Sequence, residues 1–267
     1  VPNYVSSDGL VGWWPFNGNA NDESLNGNDG TVNGATLTTD RFGTANSAYD
    51  FDGDDWISVA NNASLNWGFS DYTISVWVNK DNAAPFLQNI IGKQETTAGN
   101  YYGWTLGLVN NEIRFLPGEG FNGGWLSNGT IQSNFSILDN QWYFISGVFD
   151  LTNTLTSLYI NGILYTTTTA SSTVNPDNSQ DLKFGVHMPT GAPSGPEFFF
   201  GNIDDIGIWN RALTECEILD LYNAQLNAPT VDIGTDQTLC HGDSVLLDAG
   251  AGYNYYSWST GETTQSI

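Results

Sequence analysis

Residues 16–30 read FNGNANDESLNGNDG, a run in which nearly every side chain is an amide, a carboxylate, a hydroxyl or no side chain at all. Oxygen at that density suits one chemistry above others, the holding of a hard cation. Calcium takes about six to eight oxygen ligands from carboxylates, amide carbonyls and backbone carbonyls. Glycine lets backbone carbonyls turn inward, while Asn and Asp tolerate the unusual φ values such a loop needs. The run is not a helix–loop–helix calcium hand, because no glutamate closes the loop and no helix flanks it. A second supply of oxygen lies far along the chain in GNIDDIGIW. If that segment is a strand, strict alternation sets Asp204 on the face of Ile206 and Ile208. A carboxylate there is costly unless it is paired or bound to metal. With only six Lys and Arg in the chain, a metal is the expected partner. The competing reading is a solvated turn at 16–30 and a wet strand end at Asp204.

A second set of residues suits sugar. Tyr101, Tyr102 and Trp104 in GNYYGWTLG, with Phe121 and Trp125 in GEGFNGGWLSNG, sit in Gly- and Asn-rich context. Aromatic faces cover the apolar C–H patches of a sugar ring while Asn and Asp bind its hydroxyls. The same rings would equally serve to plug the rim of a sandwich, and the two readings stand side by side.

Other chemistries are poorly supplied. Two histidines and two cysteines leave little for His-based catalysis, a zinc site or a disulfide scaffold, although a Cys216–Cys240 bridge stays open. The 29 acidic residues against six basic ones give a net charge of −23, which repels phosphate backbones and anionic lipid. Nucleic acid and membrane surfaces are therefore not expected partners. No apolar run approaches the ~20 residues of a membrane-spanning helix. The start VPNYVSSDGL is compatible with a mature terminus after removal of a signal peptide, so an extracellular setting is expected.

The elements that must position these residues are short strands. YDFDGDDWISVA, YTISVWVNK, YYGWTLGLV, EIRFLP, QWYFISGVFD, TSLYINGILYT, LKFGV and EFFFGNIDDIGIWN follow one another closely. Asn161-Gly162 between apolar arms is a tight-hairpin signal, and LVNNEIRF suggests another. One stretch is helical, RALTECEILDLYNAQL, with Thr214 and Glu217 at capping-box spacing and Ile218, Leu221 and Tyr222 on one face. Trp77 and Trp142 lie in apolar strands and read as core, and Trp209 reads as an anchor for the helix. Adjacent Trp13 and Trp14 must point to opposite faces. The fold class is all-β, a two-sheet antiparallel sandwich with one short helix after the last strand. Residues 1–227 form the domain. Residues 228–267 are a linker and an incomplete β unit, since so few strands cannot close a core alone.

The order of LVGWWPFNGNANDESLNGNDGTVNGAT, YDFDGDDWISV, YTISVWVNK, QWYFISGVFD, LYINGILY and GNIDDIGIWNRALTECEI resembles the bacterial laminin-G-like branch of the concanavalin A-like jelly rolls. The tail from TLCHGDSVLLDAG resembles the opening of an Ig-like repeat of Bacteroidetes-type surface proteins. The resemblance implies a jelly-roll sandwich, a structural calcium ion and binding more often than catalysis. In that family the last-strand Asp and the early Asn/Asp loop share a calcium ion, which implies Asn17, Asp22, Asn28 and Asp204 as ligands with Asp205 in reserve. It also makes DFDGDDW a tight turn with Phe51 packed inward, leaving Asp54 and Asp55 solvated. Catalytic relatives carry E-x-D-x-x-E on one strand so that carboxylates meet across the scissile bond. No strand here does, and ECEILD, the nearest match, falls on the helix. The expected function is a calcium-binding, non-catalytic module for a polysaccharide, surface glycan or glycoprotein, with Tyr101, Tyr102, Trp104 and Trp125 as the contact rings. The rival readings are an adhesin or structural spacer and, behind it, a glycanase-related domain.

Overall fold

The structure, a computed structural model, describes all residues except 82–85, 98–99, 119–128, 171–176, 189–194, 227–243, 250–257 and 259–261. The chain begins with β1 (Leu10–Trp14), β2 (Gly30–Asn33), β3 (Thr36–Thr38), β4 (Ala48–Asp52), β5 (Trp56–Val59) and β6 (Tyr72–Lys80). It continues through β7 (Leu87–Thr97), β8 (Asn100–Val109), β9 (Glu112–Leu116), β10 (Ile131–Ser136), β11 (Trp142–Asp150) and β12 (Leu155–Ile160). The last strands are β13 (Ile163–Thr169), β14 (Leu182–Phe184), β15 (Val186–His187), β16 (Glu197–Phe198) and β17 (Phe200–Trp209), followed by α1 (Glu215–Ala224).

Two antiparallel sheets form a sandwich, as expected. One runs β13-β12-β11-β6-β17-β4-β3, with β1 also paired to β17; the other runs β10-β9-β8-β7-β14-β5-β2. Both hairpin signals hold. Ile160 pairs with Ile163 across Asn161 (φ 51°) and Gly162 (φ 74°), and Val109 pairs with Glu112 across Asn110 (φ 51°) and Asn111 (φ 68°). Positive φ at both turn residues matches the twist of the flanking strands.

Alternation fills the space between the sheets. Ile74, Val76 and Val78 of β6 meet Trp104, Leu106 and Leu108 of β8 and Ile113 and Phe115 of β9 in one core. A second core lies on the far side of the first sheet, where Trp13, Trp77, Phe144 and Trp209 pack under Leu213, Ile218 and Leu221 of the helical segment. Trp13 and Trp14 are both wholly buried, one in each core, which is the outcome alternation requires. Burying a large apolar side chain is worth about 1.5–3 kcal/mol, so these opposed tryptophans tie β1 to both layers. Thr214 caps α1 in a complete capping box with Glu217, and Tyr222 stacks on Trp77 at 5.7 Å. The expected domain boundary at 227/228 and Cys240 lie outside the described residues. In the described part of the tail, Leu247 and Ile267 exchange backbone hydrogen bonds beside an isolated Asp248–Ser266 bridge.

Candidate functional site

Strand β17 carries a departure from simple alternation that decides where its carboxylates point. Against β6, Asp204 pairs with Trp77 and Gly207 with Ser75, so three steps on one strand match two on the other. The extra residue is a β-bulge, and Asp205 at φ 45° sits in it. The bulge flips the register: Ile203, Ile206 and Ile208 all face the inter-sheet core, while Asp204 faces the opposite layer with Trp77. The expectation that Asp204 shares a face with Ile206 and Ile208 is therefore corrected.

Its partner is also not the one expected. Arg41 donates from one terminal nitrogen to Asp204 and from the other to Asp205, both at 2.8 Å, and from Nε to the backbone carbonyl of Gln225 at 2.9 Å. Its guanidinium lies over the rings of Phe42 (4.6 Å) and Trp77 (4.5 Å), and Trp77 donates to the Gln225 side chain. Arg41 thus joins a loop, the bulge and the end of α1, where the helix dipole favours a cation. Asp204 is 2% exposed. Burial pushes its carboxyl well above the usual range, the Asp205 charge adds to this, and Arg41 opposes it. Asp205 is raised for the same first reason. Burial and the two carboxylates raise the neighbouring Tyr4 phenol as well.

The Asn/Asp loop is closed by hydrogen bonds. Asp22 Oδ1 accepts from the backbone N–H of Trp13 (3.0 Å) and Ser24 (2.8 Å); Oδ2 accepts from Ser24 Oγ (2.8 Å) and Asn28 N–H (3.0 Å). Asn28, itself buried, donates its amide to Val11 O at 2.8 Å and accepts from Asn62 Nδ2. Asp22 and Asn28 are brought together, but Asn17 is exposed and Asp204 is engaged elsewhere. As a calcium cage the four residues do not fit together: N–H and O–H donors point at the oxygens an ion would need. In the Asp50–Trp56 turn Phe51 packs inward, as the resemblance implied. The carboxylates of Asp52, Asp54 and Asp55 approach within 4.8 Å of one another, with Asp52 and Asp54 exposed. Hydrogen bonding to Asp52 raises Asp54, and burial raises Asp55.

Among the expected contact rings, Trp104 is wholly buried. It stacks on Trp67 at 5.8 Å and lies 6.2 Å from Tyr72, so it is a core residue and not a platform. Tyr102 is 38% exposed. The Tyr101 side chain, Phe121 and Trp125 lie outside the described residues. Beside Trp104 the ammonium of Lys93 is buried on Asn66 Oδ1 and the backbone carbonyl of Asn178, and burial lowers its pKa to about 8.

A ring missed in the sequence stands at the same end. The adjacent strands β11, β6 and β17 leave the sheet together, and the residues just beyond them enclose a shallow pocket of about 380 Å³. Phe69, Ser70 and Asp71 precede β6, Leu151 and Thr152 follow β11, and Asn210 and Arg211 follow β17. Phe69 is 58% exposed. Asp71 accepts from the backbone N–H of Leu151 (2.7 Å) and Thr152 (3.2 Å) and from Thr152 Oγ1 (2.8 Å), which fixes the pocket floor. Gly68 N–H donates to Asp177, and Asn178 Nδ2 reaches the carbonyl of Tyr102, so adjacent residues tie down the backbone next to Phe69 and at Tyr102. The signal available in sequence was WGFSDY, an aromatic in a Gly/Ser turn directly before an apolar strand.

The family model described as the concanavalin A-like lectin/glucanases superfamily (Laminin_G_3) matches residues 51–219. No curated protein matches the chain. Among solved structures, the binding domain of Paraclostridial Mosquitocidal Protein 1 is similar at a TM-score of 0.64 and 21% identity, over 83% of this chain and 53% of that one. The binding domain of botulinum neurotoxin DC in complex with SialylT follows at 0.61 and 20%, over 82% and 52%. The ligand-binding domain of botulinum neurotoxin serotype D in complex with N-acetylneuraminic acid gives 0.62 and 16%, over 82% and 52%. The chain spans about half the length of these structures, and at such identities the likeness is one of fold.

Proposed function

The chain belongs to the concanavalin A-like lectin/glucanases superfamily, and on that premise we propose that it is a non-catalytic module that binds a glycan or glycoprotein outside the cell. The observation that carries this reading is the loop end of the sandwich. There Phe69, just before β6, exposes its ring beside the oxygens of Ser70, Asp71, Thr152 and Asn210, and Tyr102 exposes its ring from β8, on a scaffold held by two cores. Rigid scaffold and loop-borne contacts are the usual division of labour in binding domains. Solved relatives of the fold carry SialylT or N-acetylneuraminic acid, which supports sugar as the ligand class.

The carboxylates of ECEILD support a binding role over hydrolysis. Glu217 is spent on Arg211 (2.6 and 3.0 Å) and on the Thr214 cap, and Glu215 is exposed on α1. A glycosidase needs a facing pair with one proton held ready. In the proposed reading Arg41 takes a cation's place beside Asp204, and the loop at 16–30 needs no calcium. Among the described residues no helix is long and apolar enough to cross a membrane.

A glycan array probed with the whole chain, once with calcium and once with chelator, tests the proposal. Binding to a defined glycan class supports it. Binding to none, by array and by titration at millimolar sugar, would leave the spacer reading in its place.

A further inference from the structure

We infer that the Phe69 pocket is the sugar subsite and that it selects neutral pyranosides over sialylated ones, an inference that rests on the glycan-binding reading above. The argument is a count of hydrogen-bonding groups. Arg211 is the one cation lining the pocket, and all five of its N–H bonds are taken. Nε donates to Asp8 O (2.8 Å), one terminal nitrogen to Ala212 O (3.3 Å) and Glu217 Oε2 (3.0 Å), and the other to Ser6 Oγ (3.0 Å) and Glu217 Oε1 (2.6 Å). A sugar carboxylate that sought the guanidinium fork would have to break the Glu217 pair and the helix cap built on it. Asp8 Oδ2 lies 3.2 Å from Nε, so Arg211 is already flanked by two carboxylates.

The groups left for a ligand are mostly acceptors. Asp71 Oδ2 takes only the Thr152 hydroxyl, and Ser70 and Asn210 are exposed. Sugar hydroxyls donate readily to such oxygens, and the half-exposed Phe69 face covers the ring's C–H patch. An acidic sugar meets Asp71 without a spare cation to answer its charge, on a chain whose net charge is −23. The lining therefore fits a hydroxyl-rich, uncharged ring.

The test compares lactose with 3′-sialyllactose by saturation-transfer and chemical-shift titration of the whole chain, in wild type and in Phe69→Ala, Phe69→Tyr and Asn210→Ala. Lactose is expected to move the Phe69 ring signals, and sialyllactose to bind at least about tenfold more weakly. Phe69→Ala should lower lactose affinity about tenfold or more, Phe69→Tyr should keep it, and Asn210→Ala should weaken it. If sialyllactose binds as well as lactose, or if sugar binding ignores both Phe69→Ala and Asn210→Ala, the subsite is elsewhere while the glycan reading stands. If no sugar binds, both fall. Should Phe69→Ala fail to fold, the shift map and Asn210→Ala still decide.

Discussion

Removing Arg41 tests the most tightly drawn part of the structure. The guanidinium answers two buried carboxylates at once, with side-chain exposures of 3% for Asp204 and 11% for Asp205. Arg41→Ala leaves both without a counter-charge and strips a cation from the faces of Phe42 and Trp77. Breaking a buried pair by removing one partner costs about 3–5 kcal/mol. In a domain of this size each kcal/mol moves Tm by roughly 2–4 °C, so the variant should melt about 6–20 °C lower near neutral pH. Acid should reverse part of the loss. The folded-state pKa values of Asp204 and Asp205 are raised, chiefly by burial. A group so raised contributes its stability at low pH and loses it as pH climbs through the folded value. Without Arg41 those values rise further, so the deficit should shrink as pH falls from neutral into acid and the carboxyls take up protons. Asp204→Asn is the informative partner, because it leaves one carboxylate facing one guanidinium and should cost less than Arg41→Ala. Calorimetric melts of the three proteins across that range decide the matter. A variant that melts within about 2 °C of wild type at neutral pH, or whose deficit grows in acid, would refute the reasoning.

Three further outcomes follow from the geometry. Trp104→Ala should lose about 3–5 kcal/mol in a denaturant melt, since it empties a core site stacked against Trp67, whereas Tyr102→Ala should change stability little. Glu217, held down to about 2 mainly by its hydrogen bond to Arg211, contributes stability above the ordinary carboxylate range that is lost as pH falls from about 4.5 toward 2. Because that side chain is about a third exposed, Glu217→Gln should cost only ~1 kcal/mol at neutral pH and almost nothing at the acid end, read by melts at both. Melting curves in calcium and in chelator should coincide within about 1 °C, and a calcium-dependent rise abolished by Asp22→Ala or Asp204→Ala would show an ion where the structure has N–H donors and Arg41.

What the sequence disclosed and what it hid divide along one physical line. Asn161-Gly162, the Thr214–Glu217 capping box and the opposed pair Trp13–Trp14 were legible because each depends on residues within a few positions of itself. Trp104 was legible too, in retrospect: Trp104, Leu106 and Leu108 alternate with Thr105 and Gly107, and that period should have outweighed the Gly- and Asn-rich context. Arg41 was not. It lies 163 residues from Asp204, and nothing local in DRFG announces a partner so distant. The bulge at Asp205 was equally hidden, since an extra residue is defined only by the strand it pairs with.

The two hidden features explain each other. Uninterrupted alternation would have driven Asp204 into the inter-sheet core, where no cation is at hand among the isoleucines. The bulge turns it to the layer where Arg41 waits between Phe42 and Trp77, and keeps Ile206 and Ile208 in the core after it. The left-handed φ of Asp205, a strained value that Asp tolerates better than most residues, is then held in place by the ion pair it helps to form. Deleting the bulged Asp205 should therefore cost less than Arg41→Ala, because it removes one carboxylate and leaves Asp204 facing the guanidinium. It would restore one-to-one pairing with β6, with Asp204 still opposite Trp77 and Ile206 opposite Val76, so each side chain keeps its layer. A deletion variant that melts as low as Arg41→Ala would show that the bulge does more than seat a second carboxylate on Arg41.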